Sequence, residues 1–166
     1  MIATVRRLTA AFLGAGAFAA LIATAYASPQ QTTLQGFVGT WQCVTRTADN
    51  KTYNETDTDT MFGNWLKIDA AYLAQGGAPA TSGATFVGYD AKHRRWVITG
   101  VATDDTYFTA SSSSPAWDGS KWTNAFPNDH GTAVVHAPAN GKYTVESSTP
   151  NMQGKMVMSH TICTKQ

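Results

Sequence analysis

Cysteine is nearly absent from this chain: Cys43 and Cys163 are the only two. A pair alone cannot supply the four ligands of a structural zinc site, and no second Cys/His cluster stands ready to complete one. Charged residues make up 14% of the sequence, with 12 basic against 11 acidic side chains, so no field draws the chain to nucleic acid or an anionic membrane. The four histidines show neither HxH nor HExxH spacing. No Gly-x-Ser-x-Gly elbow gives Ser, His and Asp a shared context, so nothing marks the chain as an enzyme. Lys92, His93, Arg94 and Arg95 form the one basic cluster, which reads as a solvated turn.

Long apolar runs are also scarce, with one exception at the start. Met1 to Thr9 carries Arg6 and Arg7 without an acid, Ala10 to Thr24 is apolar, and Ala25-Tyr26-Ala27 is a small-x-small cleavage pattern. This predicts a signal peptide over residues 1–27, too short in its apolar part to make a stable span. No cysteine follows it to carry a lipid. Residues 28–34 then read as a flexible mature terminus, and residues 35–166 as one domain. Removing the leader takes two arginines away and leaves the charge close to zero. The expected location is secreted or periplasmic, with no membrane span after cleavage. There the two cysteines pair by default.

What fills the rest is Thr, Ser, Gly, Val and aromatics, with apolar residues at every second position in short runs. That pattern predicts an all-β domain. Strands are expected at 39–47, 61–69, 84–90, 95–103, 106–111, 121–126, 131–136, 142–148 and 155–164, divided by turns such as Asp118-Gly119 and Asn140-Gly141. Leu34 to Val38 is expected to add one helical turn. Short connections between about 8–10 strands suit a sandwich or an up-and-down barrel. The cysteines favour the barrel, because a closed meander makes its first and last strands neighbours. The loops 70–83 and 110–120 exceed hairpin length and could gate a ligand or simply cover the surface.

Gly39-Thr40-Trp41 opens the first strand, where a glycine permits a tight corner and a tryptophan plugs a barrel end. With Gly88-Tyr89-Asp90, the basic turn and Arg95-Trp96-Val97, and with Trp117-Asp118-Gly119-Ser120-Lys121-Trp122, it resembles the lipocalin-like (calycin) β-barrels. A bacterial secreted family of unknown function is the nearest likeness. The resemblance implies an antiparallel up-and-down barrel, and members of the wider superfamily bind fatty acids, retinoids or haem. The haem-binding nitrobindin group is similar in outline, but its later glycines are replaced here by Cys43 and Thr45.

The last strand alternates, so Met156, Met158, His160 and Ile162 share one face, with Val157, Ser159, Thr161 and Cys163 on the other. An inward Met face would put His160 among soft thioethers, a setting for haem or copper. A cross-strand disulfide opposes this, since Cys43 and Trp41 would then share the side of Ser159 and Thr161. A β-bulge, or a disulfide bridging strand ends, would reconcile the two. Glu55, Asp57 and Asp59 resemble part of a calcium loop but lack its glycine and terminal acid, and read as a solvated hairpin.

The expected function is therefore non-catalytic binding of a small apolar or amphipathic molecule. Trp41, Trp65, Tyr89, Trp96, Met156, Met158 and His160 are the candidate ligand-binding residues, and Trp117 and Trp122 are further aromatics able to line a cavity. No metal site and no obligate cofactor is expected. The alternatives are a haem or metal barrel using His160, and an envelope or interaction protein with a filled barrel.

Overall fold

The computed structural model describes residues 27–74, 79–126, 131–150 and 154–166. The expected signal peptide lies outside them up to Tyr26, as do the turn residues Asn128 and Asp129 and the histidine His130. A helix, α1 (Pro29–Phe37), leads into ten strands: β1 (Gly39–Thr47), β2 (Thr52–Phe62), β3 (Trp65–Tyr72), β4 (Thr81–Asp90) and β5 (Arg95–Ala102). These are followed by β6 (Tyr107–Ser112), β7 (Lys121–Phe126), β8 (Thr132–Val135), β9 (Lys142–Pro150) and β10 (Met156–Lys165). Each strand pairs antiparallel with its sequence neighbours, and β1 pairs with β10 to close the barrel.

Two local readings change. Residues 28–34, expected to be flexible, start a nine-residue helix whose Ser28 caps it. Ser28 Oγ accepts from the Gln31 backbone N–H at 3.2 Å, and Gln31 Oε1 in return accepts from the Ser28 backbone N–H at 2.9 Å. Pro29 suits the first turn, where its missing N–H is not needed. The second change is β2. Residues 61–69 are not one strand but the two sides of a hairpin that turns at Gly63-Asn64, with Phe62 opposite Trp65. Gly63 sits at φ +62°, which glycine adopts at little cost. The acidic run before it is a full strand with Thr52, Thr56, Thr58 and Thr60 on the outer face.

The helix closes one end of the barrel. Leu34 and Phe37 are buried, and α1 packs on β2 and β3. The Trp41 indole donates to the Phe37 carbonyl at 2.6 Å, tying the last helical turn to the first strand. Gln31 Nε2 donates to Asn64 Oδ1 at 2.5 Å and anchors the other side. Beneath this cap lies an aromatic chain: Phe37 contacts Trp117 and Tyr143 at centroid distances of 5.0 and 5.2 Å. Trp117 in turn meets Trp96 at 4.8 Å and Trp122 at 5.3 Å, all tilted or edge-on, as ring quadrupoles prefer.

The seam between β1 and β10 runs in unbroken register, with Cys43 directly opposite Cys163. The two form a disulfide, as expected. No bulge intervenes, so Trp41, Cys43 and Thr45 share the lumen with Cys163, Thr161 and Ser159. Thr45 and Thr161 hydrogen-bond at 2.7 Å, and Ser147 and Ser159 at 2.6 Å. Met156, Met158, His160 and Ile162 consequently face outward; the three apolar ones are 42%, 58% and 44% exposed for Met156, Met158 and Ile162. The inward Met–His face entertained from the sequence is thus corrected by the disulfide register.

Candidate functional site

The lumen has two unlike walls. The first is apolar and encloses a cavity of about 220 Å³. Leu66 and Ile68 of β3, Val87 of β4 and Ile98 of β5 form one side. Trp122 of β7, Val135 of β8, and Tyr143 and Val145 of β9 form the other, with Phe37 and Trp117 toward the cap. These are the inward positions of alternating strands, so ordinary period-two patterning builds the wall. A 150 Å³ apolar cavity accepts benzene, so this one has room for a ring with a short substituent. A more polar hollow of about 310 Å³ lies where Tyr72, Thr81, Asp104 and Thr106 meet at the strand ends far from α1.

The second wall is β2. Its inward residues Glu55, Asp57 and Asp59 stand opposite Cys43, Trp41 and Gly39 of β1. Asp57 is 4% exposed and Asp59 only 1%. Tyr143 donates to Asp57 Oδ2 at 3.4 Å, and Tyr72 and Asp57 hydrogen-bond the Glu55 side chain. The other Asp57 oxygen and both Asp59 oxygens have no hydrogen-bond partner. A buried polar group left unpaired costs about 1–3 kcal/mol, and more when charged. Ionisation is accordingly suppressed. Burial, followed by the hydrogen bond and charge of Asp57, pushes Glu55 up to about 9. Burial, then the charges of Asp57 and Asp69, pushes Asp59 up to about 8, against a lowering by Lys165. Burial also raises Asp57, which accepts from Glu55 and Tyr143, and raises the Tyr72 and Tyr143 phenols.

Cys43 Sγ, Cys163 Sγ and an Asp57 oxygen lie within 4.8 Å of one another. Both sulfurs are spent in the disulfide, so this trio offers no thiolate to a metal. The solvated-hairpin reading of Glu55, Asp57 and Asp59 is overturned: the hairpin exists, but its acids line the interior.

The predicted ligand-binding residues separate into three groups. Trp41 and Trp96 are buried inside, behind the cavity lining: Trp41 backs Tyr143 at 4.9 Å, and Trp96 backs Trp117. Trp96 Nε1 donates to the Pro115 carbonyl at 3.1 Å. Tyr89 is half-buried and sits edge-on to Trp96 at 5.1 Å. Trp65 lies on the outer surface, 37% exposed, and its indole covers Gly88 so closely that a Cβ there would fall within the ring. Met156, Met158 and His160 also lie outside, with Met158 and His160 beside Arg46 and Glu146 in a surface groove. His93 is in the β4–β5 turn, bonded through its ring to Asp90 at 2.6 Å. The structure brings together Trp41 and Trp96 with Leu66, Ile68, Val87, Ile98 and Tyr143, which the sequence does not single out. Strict alternation in Leu66-x-Ile68 and Tyr143-x-Val145 carried the signal for these.

No family model and no curated protein matches the chain. Among solved structures, it is similar to a de novo designed fluorescence-activating β-barrel, with 12% identity, a TM-score of 0.50, and coverage of 81% of this chain and 97% of that one. A redesigned β-barrel aligns at 11% identity and a TM-score of 0.49, covering 81% and 95%. At these identities the likeness concerns the fold: a closed antiparallel barrel with up-and-down connectivity.

Proposed function

We propose that this protein is a non-catalytic, lipocalin-like binding barrel that holds a small apolar or amphipathic molecule in its lumen. The carrying observation is the 220 Å³ cavity walled by aliphatic and aromatic side chains beneath the α1 cap. Burying a ring there returns about 25 cal/mol for each Å² of apolar surface removed from water. Trp41, Trp96 and Tyr89 stiffen the lining from behind. The buried disulfide suits a protein exported to an oxidising compartment, as the leader-like start suggests. His160 has no part in this reading, since its strand face points away from the lumen.

Titration with toluene and indole, followed by tryptophan fluorescence and calorimetry, tests it. Saturable one-site binding is expected, lost in Ile98→Trp, which fills the cavity. Absence of saturable binding to the folded wild-type barrel would end the proposal.

A further inference from the structure

The proposed function leaves open how a ligand is oriented and what head group it carries, and the uncapped end of the barrel narrows both. The inward rows of three strands run on past the apolar cavity. Leu66 and Ile68 lead to Ala70 and Tyr72 on β3, Val87 leads to Thr85 and Gly83 on β4, and Ile98 leads to Gly100 and Ala102 on β5. Ala70, Tyr72, Thr85 and Ala102 line the second hollow of about 310 Å³, so the two spaces are successive storeys of one lumen. Gly100 marks the step between them: a Cβ there would strike the Phe108 ring and stand 2.7 Å from the Thr85 hydroxyl. Ile68 and Ile98 of the apolar storey are only half-buried, which puts that storey within reach of the open end.

The storeys differ in chemistry. The second brings in the hydroxyls of Tyr72, Thr81, Thr85 and Thr106. Across the barrel, the bonded pairs Thr45–Thr161 and Ser147–Ser159 continue the polar band. Each hydroxyl can both donate and accept. Among the described residues no Lys, Arg or His lines either hollow, and Lys165 stands at the capped end over Trp41. The charged side chain of the second hollow is the acid Asp104, whose Oδ1 already accepts from the Thr106 N–H and hydroxyl. A ligand carboxylate would shed water here and find no cation, which is costly. We infer that the lumen takes an uncharged amphiphile of the medium-chain alcohol kind, its tail under α1 among Leu66, Val87 and Ile98 and its hydroxyl at the open end among Tyr72, Thr81 and Thr85. The step from Ile98 to Ala102 covers about 13 Å of strand, which suits a tail of roughly eight to ten carbons.

This inference rests on the cavity-binding reading but can fail separately from it. The probes are 1-butanol, 1-hexanol, 1-octanol, octanoate and octylamine, titrated calorimetrically into the wild-type protein near neutral pH, with toluene reporting on the apolar storey alone. Affinity should climb about four-fold per methylene from butanol to octanol. Octanol should bind at least about five-fold tighter than octanoate or octylamine, whose charges must be desolvated. Ala102→Phe, which occupies the second hollow, should bring octanol down to the butanol affinity and leave toluene within about two-fold. Toluene binding without a rise from butanol to octanol would overturn the inference while the cavity reading stands, and so would either ion binding within five-fold of octanol. Failure of toluene and of every alcohol to bind would overturn both. The wild-type series decides the matter even if Ala102→Phe does not fold.

Discussion

The two walls of the lumen are built on the same alternation and carry opposite costs. On β3 to β5 and β7 to β9, inward Leu66, Val87, Ile98 and Trp122 remove apolar surface from water. On β2 the inward residues are Glu55, Asp57 and Asp59, and three of their oxygens have no donor. The first wall stabilises the barrel, and the second draws on that stability. Unpaired buried polar groups are uncommon in folded proteins and concentrate where something other than stability is served.

The largest break in this comparison comes from the apolar side. Trp96→Ala removes a side chain 2% exposed that supports Trp117 and Tyr89, and should cost about 3–5 kcal/mol by urea unfolding. Next is the seam between the walls. Reducing Cys43–Cys163, which spans 120 residues, should cost about 2–4 kcal/mol, read as a lower unfolding midpoint in dithiothreitol.

The acidic wall should show itself through pH. Glu55 and Asp59 have folded values of about 9 and about 8, above the ordinary 4.5 and 3.8. Between those limits the folded state binds more protons than the unfolded chain, so stability falls as pH rises. The fall should begin near the ordinary values, approach at most about 1.4 kcal/mol per pH unit per proton, and level off above pH ~9. Asp59→Asn should flatten the slope, raising stability at high pH and leaving it unchanged in acid. A slope of opposite sign would refute the acidic-wall account. The smallest effect belongs outside both walls: Met158→Ala should change stability by less than about 0.5 kcal/mol, because the side chain is 58% exposed.

Much of the fold was legible because apolar alternation reports strands that face an apolar interior. Eight of the nine predicted strands and the buried Trp41 follow from that signal, and the Cys43–Cys163 pairing follows from the closure of the meander. The acidic strand escaped it. Glu55 to Thr60 alternates regularly, but its inward members are acids and its outward members threonines, so the pattern resembles a solvated turn. Residues 61–69 misled in the other direction: Met61 and Leu66 read as one apolar run, although Gly63-Asn64 reverses the chain between them. His160 shows a third limit. Period two groups it with Met156 and Met158, but which group faces inward depended on the partner strand, and the disulfide supplied that answer. The cavity combines side chains from six strands and could not be read from any one of them.

The seam also imposes an order in time. β1 emerges from synthesis well before β10, so for most of chain elongation it has β2 as its neighbour and an unpaired edge on the other side. Such edges are templates for unwanted pairing, and contacts this distant in sequence form slowly. Closure must wait for the final strand, and Cys43 meets Cys163 in register only when the sheet has curled fully round. The covalent bond is therefore a latch on a finished ring: it records that assembly has reached its end, and it holds shut the one joint that the order of the chain leaves until last.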